Sequence, residues 1–151
     1  MQLTDLLHPD RVRVPLHATD KPGVLKELST LLAERAGVPI DDVLQAVEER
    51  EAVLSTGIGL GVAIPHGKSA AVKRLEMVCG VAPKGIEFDA LDGEACQLFF
   101  LLLGPESASG DHVKALSRIA RVVRRDDVRQ RLLAAATPEA FIQTLVDSES
   151  R

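Results

Sequence analysis

The sequence predicts an α/β fold, a sheet with helices packed on it, from two observations. Two short apolar runs, residues 75–82 and 97–103, are bounded by turn residues and read as buried strands. Around them, leucines, valines and isoleucines recur at helical spacing in several separate segments, and strands interleaved with amphipathic helices bury their apolar faces against one another.

The elements follow in order. Residues 12–16 alternate like a short strand. Asp20 then caps a helix with Pro22 in its first turn; Val24, Leu25, Leu28, Leu31 and Leu32 form its apolar stripe until Gly37 stops it. Pro39 opens a second helix with Val43, Leu44 and Val47 on one face, running to about Glu51. A glycine-rich loop follows. After the strand at 75–82, Pro83-Lys84-Gly85 reads as a turn, and Gly104-Pro105 ends the strand at 97–103. From Ser109 onward the pattern is helical, with Val113, Leu116, Ile119, Ala120 and Val123 as the apolar face. A shorter helix is expected from about Asp126, and Thr137-Pro138-Glu139 announces a last one. No repeat, linker or low-complexity stretch divides the chain, so one domain is expected over residues 1–151.

Composition narrows the function. A chain of 151 residues that is 46% hydrophobic and 26% charged can bury a core without disulfides or metal. With 3% aromatic residues and no Trp or Tyr, it lacks stacking platforms for single strands or sugar rings. A net charge of -4 argues against nucleic-acid binding, which needs a basic surface. The first residues show no basic segment leading into an apolar stretch, and the longest apolar run, residues 98–103, is too short to span a bilayer. A soluble, cytoplasmic protein without direct membrane insertion is expected. Cys79 and Cys96 sit in apolar, strand-like segments and read as buried core thiols. No histidine or cysteine pair has ligand spacing, so neither a metal nor another cofactor is expected.

The segment at residues 55–69, Ser-Thr-Gly-Ile-Gly-Leu-Gly-Val-Ala-Ile-Pro-His-Gly-Lys-Ser, delivers one histidine, His66, between a proline and a glycine. Pro65 fixes φ just ahead of the imidazole and biases Ile64 toward an extended conformation, so stiff backbone presents the ring. Gly67-Lys68-Ser69 has the ending of a nucleotide-binding P-loop, but five residues separate Gly61 from Gly67 where that loop has four. Asp20-Lys21-Pro22-Gly23 looks like the strand-to-helix corner of ACT-type ligand sensors, a non-catalytic alternative. Those modules continue into a strand, whereas residues 39–51 read as a helix. The arginines from Arg118 to Arg131 are interrupted by Asp126 and Asp127 and read as a solvated helical face, with docking of an acidic partner, as in a protein-docking regulator without phosphotransfer, as the alternative.

The segment resembles the active-site stretch of fructose/mannitol-type enzyme IIA domains of the bacterial phosphotransferase system, including their nitrogen-regulatory branch. The match is Gly61, Ala63, Ile64, Pro65, His66 and Gly67, preceded by Arg50, Glu51 and Ser55-Thr56-Gly57. It continues through Phe88-Asp89-Ala90, the run at 98–103, His112, Leu116-Ser117 and Ile119-Ala120. The chain departs at Leu60, where the family usually has a polar residue, most often Asn.

The resemblance implies a single mixed sheet flanked by helices on both faces. It implies a phosphocarrier in which His66 accepts a phosphoryl group from a histidine-phosphorylated carrier protein. The group then passes to a transporter IIB subunit, or the phosphorylation state signals to a regulatory target protein. A loose phosphoryl-transfer transition state needs positioning, donors and positive charge more than covalent assistance. Arg50, at the end of its helix, is the candidate oxygen clamp. Thr56 and the N–H groups from Gly57 onward are a candidate anion nest. His112, near a helix start and matching the family's second histidine, is the candidate phosphoryl stabiliser.

Overall fold

Asp20 and Gly37 bound the first long helix as the sequence predicts. In the computed structural model, which describes residues 1–150, α1 spans Lys21–Ala36. Asp20 accepts the Gly23 N–H at 2.8 Å, and Gly37 closes the other end at φ +71°, its N–H donating to the Ala33 carbonyl. A second helix, α2 at Ile40–Glu51, follows directly, which removes the ACT-type reading.

The strands are β1 at Val12–Arg13, β2 at Gly57–Gly59, β3 at Val62–Ala63, β4 at His66–Lys68, β5 at Glu76–Ile86 and β6 at Cys96–Gly104. Their order is β1-β5-β6-β3-β2, with β4 continuing along β6 beyond β3. β5 and β6 are antiparallel, β1 runs parallel to β5, and β3 and β4 run parallel to β6. The sheet is therefore mixed, as expected.

Three expectations need correction. The glycine-rich segment is three short strands rather than a free loop, because β6 offers it a bare edge: Gln97 and Leu98 donate to the Gly61 carbonyl, and Leu102 donates to the Pro65 carbonyl at 3.0 Å. Pro83-Lys84-Gly85 does not end its strand. β5 bulges there, with Gln97 donating its side-chain amide to the Pro83 carbonyl, and pairing resumes at Ile86 opposite Cys96. Residues 12–16 form only a two-residue strand.

The β2–β3 connection places position 60 in the left-handed region. Gly59, Leu60 and Gly61 all have positive φ, at +97°, +61° and +76°. Asn tolerates that region better than a bulky apolar residue, which gives a backbone reason for the family's preference. Here Leu60 is exposed, and Asp92 accepts its N–H at 3.2 Å.

Helices α3 at Ser109–Val123, α4 at Asp126–Ala134 and α5 at Pro138–Glu149 complete the chain. Successive residues of β5 and β6 alternate between two cores. Met77, Cys79, Phe100 and Leu102 pack with Ile119, Leu132 and Phe141, while Val78, Phe99, Leu101 and Leu103 pack with Leu28, Val43 and Val47. Helices thus cover both faces, which is why the two strands read as continuous apolar runs. Cys79 and Cys96 are free and buried in different cores; burial pushes both thiols up, Cys96 to about 11. No helix of the described residues is long and apolar enough to cross a membrane.

The inward face of α3 differs from the expected one. Val113 is 66% exposed, and the buried positions are His112, Ala115, Ile119, Val122 and Val123. Counting apolar residues alone omits the histidine that this face turns toward the sheet.

Candidate functional site

Three elements converge on His66. β4 carries it at register with Leu102, where the Pro65 carbonyl has just accepted the Leu102 N–H. Gly67 is buried on the other side of the strand: a Cβ built there would lie 2.8 Å from the backbone carbonyl of Ala46 in α2. Only glycine lets that helix seat so closely. Side chains alternate along a strand, so His66 and Lys68 both project away from α2.

His66 is half-buried, and its Nδ1 lies 2.8 Å from the Ile64 carbonyl oxygen. A carbonyl only accepts, so Nδ1 carries the proton and the Nε2 lone pair is left free. Burial holds the ring's pKa below 6.5; the nearby Arg50 charge acts in the same direction, while the Ile64 bond and Glu51 oppose it. The imidazole is therefore mostly neutral at pH 7.

His112 meets it from α3. The ring centroids are 5.5 Å apart with planes at 71°, an edge-on contact. His112 is only 3% exposed, and neither of its ring nitrogens has a hydrogen-bond partner. A buried polar group left unpartnered costs about 1–3 kcal/mol. Gly104 at the end of β6 lies beside the ring: a Cβ there would stand 3.5 Å from His112 Nδ1, an ordinary van der Waals contact. Burial, followed by the fields of His66 and Lys68, pulls the His112 pKa down to about 4.

That shift has a stability consequence. The unfolded chain protonates this histidine near 6.5 and the folded chain near 4, so the contribution is complete above pH 6.5 and is lost as pH falls through this window. By pH 5 the loss is about 2 kcal/mol. Urea midpoints measured from pH 7 to pH 5 are expected to fall accordingly, and His112→Gln is expected to flatten that slope. A wild-type midpoint constant over the range would contradict the assignment.

Arg50 is the penultimate residue of α2, half-buried, with one guanidinium N–H donated to the Leu54 carbonyl at 2.8 Å. Its charge reaches His66, as the pKa of that ring records. Thr56 and Gly57 are used differently from the anion nest expected of them. The Thr56 N–H and hydroxyl both donate to the Glu51 carboxylate, and the Gly57 N–H donates to Ser55 Oγ at 3.1 Å. Thr56 is 3% exposed and faces a negative charge, so no donor remains there for an anion.

Glu51 is the residue that sequence reasoning left without a role. Its buried carboxylate holds Thr56 and pairs with Lys21 Nζ at 3.1 Å; the Thr56 carbonyl in turn accepts the Ile64 N–H at 2.9 Å. The group that orients His66 is thereby anchored to α1 and α2. An acidic residue in the last turn of a helix opposes the helix dipole, and that was the available signal.

Comparisons with known proteins bear on the chain as a whole. The family model described as "Phosphoenolpyruvate-dependent sugar phosphotransferase system, EIIA 2" matches residues 5–148. A nitrogen regulatory protein of Bradyrhizobium diazoefficiens is 37% identical over 145 residues, covering 96% of this chain and 95% of that protein. The PTS system fructose-specific EIIABC component of Bacillus subtilis is 33% identical over 147 residues, which is 96% of this chain but 23% of that longer protein. The crystal structure of nitrogen regulatory protein IIA-Ntr from Neisseria meningitidis matches with a TM-score of 0.90 at 31% identity, covering 95% of this chain and 98% of that one. With the family model over residues 5–148 and these relatives covering nearly the whole chain, the chain belongs to the EIIA 2 family of the phosphoenolpyruvate-dependent sugar phosphotransferase system.

Proposed function

We propose that this protein accepts a phosphoryl group on His66 Nε2 from a histidine-phosphorylated carrier protein. It then passes the group to a cysteine of a transporter IIB subunit or signals to a target protein by its phosphorylation state. The observation that carries the reading is the half-buried imidazole whose Nδ1–H is held by the Ile64 carbonyl, leaving one nitrogen free beside a second, unpartnered histidine. The nitrogen-regulatory relative matched over nearly its whole length favours the signalling branch.

In the transfer, the His66 Nε2 lone pair forms the new N–P bond as the donor's N–P bond breaks and its electron pair returns to the donor imidazole. The His66 Nδ1–H stays on the Ile64 carbonyl throughout, so no base is required. Exchange between two phosphoramidates changes free energy little, which suits a reversible relay. Arg50 serves as the guanidinium clamp for the phosphoryl oxygens. His112 turns a neutral N–H toward the same group, which resolves its unpartnered state.

Incubation with phosphoenolpyruvate and the upstream phosphotransferase proteins tests the reading. One acid-labile, base-stable phosphoryl group per chain is expected, mapped by peptide mass spectrometry to His66; an unlabelled wild-type protein would refute it. His112→Ala is expected to fold and to slow exchange by about 10²-fold, the effect of removing one preorganised donor. Rapid-quench rates equal to wild type would leave His112 as scaffold.

A further inference from the structure

Phosphorylation at His66 sets a charge problem that the residues assigned so far do not solve. A phosphoryl group carries close to two negative charges at pH 7. Arg50 supplies one positive charge and already shares its guanidinium with the Leu54 carbonyl; His112, with its pKa near 4, supplies none. A second cation at the site would balance the remaining charge.

Lys68 stands where that cation would be. It follows His66 by two residues on β4, and with Gly67 directed at α2 both side chains leave the opposite face. Its ammonium reaches the start of α3, donating to Ser109 Oγ at 2.9 Å and pairing with Glu106 Oε2 at 3.4 Å. His112 lies one turn beyond Ser109 on the same side of α3, with its ring 5.5 Å from that of His66. The three side chains therefore border one space.

The present partners of Lys68 are easily left. Its side chain is 42% exposed and that of Glu106 is 82% exposed, so the pair is solvated and weak. The Ser109 hydroxyl already donates to the Glu106 carbonyl at 2.7 Å and needs nothing from Lys68. A doubly charged phosphoryl group is the stronger attractor. The depression of the His112 pKa by Lys68 agrees with an ammonium whose field reaches His112.

We infer that Lys68 is a further phosphoryl-binding residue: when His66 becomes phosphorylated, its ammonium leaves Glu106 and pairs with the phosphoryl oxygens. The inference rests on the phosphocarrier reading above. Lys68 exchanges one anionic partner for another, and no proton moves. Glu106 acts against phosphorylation, as a competing anion that holds the lysine while the site is empty.

The test compares equilibrium constants for phosphoryl exchange between the histidine-phosphorylated carrier protein and each variant, with urea denaturation as the check on folding. Lys68→Gln is expected to shift the equilibrium about tenfold toward the carrier, and Lys68→Arg to recover most of that shift. Glu106→Gln, which frees the lysine, is expected to shift it the other way by a few-fold. The ³¹P resonance of the phosphorylated protein is expected to move in Lys68→Gln. An unchanged equilibrium and resonance in Lys68→Gln, or a loss in Glu106→Gln, would overturn the assignment. Wild-type protein that takes no label would instead defeat the phosphocarrier reading itself.

Discussion

His66→Ala is expected to abolish phosphoryl acceptance while leaving the fold intact. The ring is half-buried, and its one hydrogen bond is to a carbonyl two residues away, so removing it opens space at the edge of the sheet rather than in either core. Among the described residues, none of the nucleophiles packed in the cores or against His66 replaces it. His112 is buried on α3, and Cys79 and Cys96 are buried thiols whose pKa values lie far above neutrality, so little thiolate forms. Phosphate labelling from phosphoenolpyruvate should vanish, with an unaltered circular dichroism spectrum and urea midpoint. A variant still labelled stoichiometrically would sink the nucleophile assignment.

Gly67→Ala is expected to damage both fold and function, by a different route. The added methyl would lie 2.8 Å from the Ala46 carbonyl carbon and oxygen, and those atoms belong to the α2 backbone, which cannot rotate aside as a long side chain does. Overpacking of this kind costs about 1–3 kcal/mol, and a clash with helix backbone belongs at the upper end. Relief requires α2 and β4 to separate, which moves Arg50 relative to His66. The expected outcome is a lower urea midpoint together with slower exchange. Gly110→Ala, in α3 with nothing within 4 Å of its added methyl, is the matched control and should not lower the midpoint. Equal stability of Gly67→Ala and wild type would mean that α2 does not seat on the strand as described.

The residues that proved legible in the sequence share a property. The Asp20 cap, the Gly37 stop, the Thr137 cap that accepts the Ala140 N–H at 3.1 Å, and the apolar spacings of α1 and α2 all act over a few residues. So does Pro65, which stiffens the approach to His66. Local dihedral preferences and capping bonds suffice to write these into a linear pattern, and the family resemblance supplied the rest of the histidine's meaning.

What the chain's order of residues left open was settled by partners far along it. Segment 57–68 becomes strand because β6 has a vacant edge; nothing within the segment signals that. The same pairing puts Lys68 on the face of His66, a relation invisible while the stretch was read as a loop. His112 points inward because the sheet lies beneath α3, and Thr56 is committed to Glu51 because the end of α2 folds back over it. Short-range preferences decide where elements begin and end, but which donors stay free and which charges meet depends on hydrogen bonds and packing between distant segments, and these exist only once the sheet has closed.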